Sequence, residues 1–80
     1  MLEILKTANK TVGVRQSVKA LENGTVKAVF IAHDADERVI VNIKELCIKN
    51  SIEIVYVENT KLLGKACCIE VGAAVACLLK

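Results

Sequence analysis

The run VKAVFIAHDADERVIVNIKELCIKNSIEIVYV, residues 26–57, holds a strand, a helix and a second strand in that order. Val26–Ala32 is rich in β-branched residues, with Gly24-Thr25 before it and the polar His33–Asp36 after it, the pattern of a mostly buried strand. Asp34 or Asp36 can cap the helix that follows, whose apolar face is Val39, Ile43, Leu46 and Cys47. Ile52–Val57 then reads as strand again. A helix between two such strands implies a crossover connection and a sheet that must be covered on both faces.

Outward from this unit the alternation continues. On the N-terminal side, Leu2, Leu5 and Ala8 predict a short first helix, and Thr11–Val14 a brief strand with Gly13 at its end. Val14, Val18 and Leu21 recur at i, i+4 and i+7, the stripe of a core-facing helix that Gly24 closes. On the C-terminal side, Asn59 or Thr60 caps a short helix, TKLLGKA, and after the turn CCIEVG the run AAVACLL supplies a buried last strand. The order α-β-α-β-α-β-α-β predicts an α/β fold, a three-layer α/β/α sandwich around a central four-stranded mixed sheet. Eighty residues make one domain, 1–80.

Composition narrows the function. A chain this short buries only about 60% of its unfolded surface, so its core must be rich in apolar residues, and 54% of this one is hydrophobic. With one Tyr, one Phe and no Trp there is no aromatic platform for stacking single-stranded bases. The net charge of +2 neither requires nor excludes a nucleic-acid partner, which needs local positive charge. Gly72–Leu79, the longest apolar run, is far short of the roughly 20 residues that span a bilayer. No secretory signal is visible in MLEILKTANK, so the expected location is the cytoplasm and the expected state of the four cysteines is reduced. Cys47 and Cys77 fall in apolar patterns as small core residues, and Cys67 and Cys68 read as two free thiols. No C-x-x-C pair or Cys/His cluster suggests a metal site, and no cofactor motif is present.

Four constellations carry candidate chemistry. In GVRQSVK, residues 13–19, an inward Val14, Val18 and Leu21 leave Arg15, Gln16 and Lys19 on one outward face. A helix N-terminus favours an anion, yet here Arg stands where Asp or Glu is usual. On pattern alone this is either a solvated face or an anion- or nucleic-acid-binding one. LGKA, residues 63–66, fails as a phosphate loop, because Asn59 and Ala66 stand where that motif needs Gly and Ser or Thr. HDAD, residues 33–36, reads as a polar loop with a helix cap or as a Mg²⁺ or acid–base site. Nothing else in the chain completes a catalytic set. In CIEVG, residues 68–72, Ile69 and Val71 either tuck into the core or offer a small apolar surface to a partner such as an unstacked base.

GVRQSVK, the following ALENGTVKAVFIAHDAD and the distant LGKACCIEVGAA together resemble the ribosomal protein L-seven-Ae family of kink-turn RNA binders, from about Thr11 to Leu79 and in the right order and spacing. The likeness is greatest to the small bacterial members. The resemblance implies an α/β/α sandwich that binds a kink-turn, where a three-nucleotide bulge meets tandem sheared G·A pairs. The expectation is a non-enzymatic protein, taken as a monomer, without metal or cofactor. Its partner would be a structured RNA, ribosomal or riboswitch-like, rather than DNA or a membrane. By the same resemblance, Gly13 lets the backbone approach the RNA and Val14 opens the helix. Arg15 and Gln16 face the guanines, and Lys19 contacts guanine or the adjoining phosphate, with Lys10 or Lys65 as further phosphate contacts. Ile69, Glu70 and Val71 cover the flipped-out bulge nucleotide. Four positions depart from the pattern. Arg15-Gln16 replaces the Asn-Glu of archaeal and eukaryotic members, Cys68 replaces a glycine, and Gly72 stands where many members have proline. Arg pairs bidentately with guanine O6 and N7, and Gln both donates and accepts, so base reading survives the change chemically. The alternative within the same superfamily is a protein–protein interaction module.

Overall fold

The computed structural model of the chain describes residues 5–6 and 9–80. Its centre is β2 (Val26–Ala32), whose side chains alternate between two cores. Ala28, Phe30 and Ala32 point to one face; Val29 and Ile31 point to the other. Val26 breaks the alternation and joins Val29 and Ile31, because the ladder slips between Val26 and Ala28 and inserts Lys27 as an extra residue.

Around β2 the sheet is ordered β1-β4-β2-β3, with β1 at Lys10–Val12, β3 at Glu53–Val57 and β4 at Val75–Leu79. β2 and β3 pair in parallel, joined by α2 (Glu37–Lys49). β4 runs antiparallel to both β1 and β2, so β1 and β2 share a direction with β4 between them, and α1 (Val14–Asn23) connects them. The helix after β3 behaves differently. At seven residues, α3 (Thr60–Ala66) is about 10 Å long and cannot return the chain along the full sheet, so β4 starts at the end where β3 finishes. The sheet is therefore mixed.

Helices α1 and α2 cover one face, where Ala20, Leu21, Ile40, Ile43 and Cys47 meet Val29, Ile31, Val75 and Cys77. α3 covers the other, where Leu63, Ala66 and Cys67 meet Phe30, Ala76 and Leu78, together with Leu5 from a 3₁₀ turn. This is the three-layer sandwich expected from the sequence. Leu2 and Ala8, which with Leu5 were to form a first helix, lie outside the described residues. No described helix is long and apolar enough to cross a membrane.

Two apolar stripes keep part of their expected residues, with Leu21, Ile43 and Cys47 buried, and are rotated at the rest. In α1 the fully buried residues are Ser17, Ala20 and Leu21, while Val14 and Val18 are half-buried at the margin. In α2 the stripe is Ile40, Ile43 and Cys47, and Val39 is 40% exposed. Each helix packs against its neighbour as well as the sheet, which rotates the buried arc relative to a helix that faces a sheet alone. Val18 and Leu46 line the shallow groove between the two.

The three described α-helices end the same way. Gly24, Ser51 and Cys68 adopt φ of 71°, 56° and 62°. Each donates its N–H to the carbonyl three residues back, and the next residue donates to the carbonyl five back, as in Ile69 N–H to Gly64 O at 3.0 Å. This double bond pattern satisfies the last carbonyls of a helix and needs a left-handed residue.

Candidate RNA interface

The three helix N-termini differ. α2 opens on Asp36, whose carboxylate accepts the Arg38 N–H at 2.9 Å, and has Glu37 in its first turn. The Asp36 carboxyl is held below its usual range by the Arg38 side chain and then the Arg38 backbone N–H. α3 opens on Asn59, which accepts the Leu62 N–H at 2.8 Å. α1 opens on Gly13, with no side-chain cap and no acid in its first turn. Its positive end is left to whatever lies outside the protein, and Arg15 and Gln16 stand exposed over it.

Gly13 earns its place conformationally. Its φ of 100° is closed to residues with a side chain, and the space where a Cβ would sit is open. The glycine turns the chain out of β1 into α1 while its N–H donates to Val75 O at 2.9 Å. That bond ties the start of α1 to the start of β4. The end of the sheet where β1 leaves is thus the end where the loop Cys68–Ala74 enters β4.

The loop is seated on α3. A Cβ on Gly64 would collide with the Val71 carbonyl oxygen and lie 3.1 Å from Gly72 Cα, so only glycine lets the loop run this close to the helix. Along it, Ile69 is half-buried against the α3-side core, Glu70 is exposed, and Val71 is 70% exposed. The pair therefore splits: Ile69 packs inward and Val71 faces solvent. Gln16 and Lys19 line a shallow groove of about 230 Å³ between α1 and the β1–β4 edge, shared with Thr11 and Asn23. Lys19 and Lys65 are exposed. Burial raises the Cys67 thiol at the end of α3, and the positive charge of Lys10, which stands opposite Leu78 in the β1–β4 ladder, acts against it.

The other candidate residues resolve into structure. Asp36 is the cap of α2, while Asp34 bonds the Thr60 N–H at 2.7 Å, and His33 stacks on Tyr56 with ring centres 4.9 Å apart. No cluster of three or more metal-ligating side chains occurs among the described residues. All four thiols are free; Cys47, Cys67 and Cys77 are buried and Cys68 is exposed. The long-range role of Asp34 was missed by sequence reasoning, which looks for a cap within a few residues and not across 26.

A mixed four-stranded sheet with one bare helix N-terminus beside a glycine-seated loop defines the class. Residues 2–80 match the model of the ribosomal protein L7Ae/L30e/S12e/Gadd45 family, and the chain belongs to that family. It is 48% identical over 67 residues to an RNA-binding protein of Caldanaerobacter subterraneus subsp. tengcongensis, covering 84% of this chain and 82% of that one. An RNA-binding protein of Halalkalibacterium halodurans is 40% identical over 78 residues, 98% of this chain and 95% of the relative. Among solved structures, the Giardia lamblia 15.5kD RNA binding protein superposes with a TM-score of 0.89 at 26% identity, covering 99% of this chain and 70% of that chain.

Proposed function

We propose that the chain is a non-enzymatic RNA-binding protein that recognises a kink-turn and stabilises its bent form. The observation that carries this reading is the uncapped N-terminus of α1, with Arg15 and Gln16 over it and Lys19 one turn on, tied through Gly13 to the strand that the Ile69–Val71 loop enters. Family membership and relatives named as RNA-binding proteins support it.

The roles follow from side-chain chemistry. Arg15 and Gln16 read the edges of the guanines in the tandem G·A pairs, Arg15 bidentately. Lys19 holds phosphate or guanine, and Lys65 and Lys10 add phosphate contacts beside the loop. Val71 gives an apolar cover to the base flipped out of the bulge, backed by Ile69. The protein binds bent RNA better than extended RNA and so shifts the population toward the bend.

Titration into a short kink-turn duplex, beside a control duplex whose G·A pairs are replaced by Watson–Crick pairs, tests this at one fixed salt concentration. The kink-turn is expected to bind at least tenfold more tightly. Equal binding to both, or none, would refute it.

A further inference from the structure

Asp34 is exposed, lies in the β2–α2 connection and takes no part in the proposed RNA contacts, yet it makes the one described side-chain hydrogen bond that spans 26 residues. Its Oδ1 accepts the backbone N–H of Thr60, the first residue of α3, at 2.7 Å. Thr60 in turn holds the far end of the loop. Its carbonyl accepts the Ala73 N–H at 3.0 Å, and a Cβ on Gly72 would sit 3.1 Å from Thr60 Oγ1. One turn along the same helix, Gly64 lies against the Val71 carbonyl. A seven-residue helix has little stability of its own and depends on such tertiary bonds for its position. The same end of the loop is also fixed by Ala32 N–H, which donates to Ala74 O at 2.9 Å, at the end of the strand from which Asp34 departs.

From this chain of contacts we infer that Asp34 is a positioning residue: it pins α3 to the end of β2 and through Thr60 sets the height of the Ile69–Val71 loop against the RNA. The inference rests on the RNA reading for its functional half. It makes the acidic residue favourable to binding, although its charge opposes an RNA backbone.

That opposition gives the test. Wild type, Asp34→Ala and Asp34→Asn are titrated into the kink-turn duplex over a range of salt, and amide exchange is measured on each protein without RNA. Asn keeps an Oδ1 acceptor and loses the charge. Asp34→Ala is expected to bind about tenfold more weakly with an unchanged salt slope, since no phosphate contact is lost. Asp34→Asn is expected to bind as wild type. The Ala73 amide should exchange about tenfold faster in Asp34→Ala while the Cys77 amide in β4 stays slow. A purely electrostatic role would make both variants bind more tightly, and that result would overturn the positioning role. Unchanged Ala73 exchange in Asp34→Ala would overturn it without reference to RNA. Failure of the wild type to bind the duplex would instead refute the RNA reading and the functional half with it.

Discussion

Cys68 holds a left-handed conformation, φ 62°, that glycine adopts freely and other L-residues adopt at a cost of about 1–2 kcal/mol. Cys68→Gly removes that cost and adds back some freedom to the unfolded chain, so a net gain of about 0.5–1 kcal/mol is expected in urea unfolding. A loss of stability would mean that the thiol makes a contact worth more than the strain. Ser17 offers a second case. Its hydroxyl is fully buried with no hydrogen-bond partner, as is that of Thr11. Both lie near Cys77, which stands opposite Thr11 in the β1–β4 ladder, and both favour its thiolate without forming a hydrogen bond. Ser17→Ala keeps the helix and discards a poorly satisfied hydroxyl, and is expected to stabilise the fold by about 0.5–1 kcal/mol. The buried Ser17 does not show in the sequence, where a serine inside a helix reads as surface, and the positive φ of Cys68 shows only through the glycine that the resembled family carries there.

At the level of elements, the strands and helices were legible because their periodicities are clean: Val26–Ala32 and Thr60–Ala66 occupy the bounds that their composition implies. The inward faces of α1 and α2 were less so, because a helix wedged between a sheet and another helix buries a wider and rotated arc. The bare start of α1 was visible as Arg15 in place of an acid, and the structure adds the contrast with the capped α2 and α3. Three substitutions there separate base reading from charge. Arg15→Ala and Gln16→Ala are expected to shrink the preference for kink-turn over control RNA by about 1–3 kcal/mol each. Lys19→Ala is expected to weaken binding to both RNAs and lower the salt slope by about one. Equal losses on both duplexes for all three would contradict the base-reading role.

Across the whole molecule, three thiols are held in an aliphatic core. Burial, with Cys77 acting in the same direction, pushes the Cys47 thiol up to about 11, and burial raises Cys67 and Cys77 as well. In the unfolded chain these groups ionise nearer the usual value of 9.0. The folded state therefore binds more protons than the unfolded state between about pH 9 and 11, and stability falls as pH rises through that window. The melting temperature is expected to be lower at pH 10 than at pH 8, and the drop to be smaller in Cys47→Val. A melting temperature equal at the two values would show that the core opens enough to hydrate the thiols. The charge arrangement has a similar reach: a net charge of only +2 says little until the fold leaves the N-terminus of α1 free of acids with Arg15 and Lys19 exposed beside it.

The most direct measurement is an amide chemical-shift map of the isotope-labelled chain as the kink-turn duplex is added. The largest changes are expected at residues 13–19 and 69–72, with the outer flank of α2 around Val41 and Ile48 unmoved. Changes centred on that flank, or a map that stays flat at saturating RNA, would contradict the assignment of RNA to the bare end of α1.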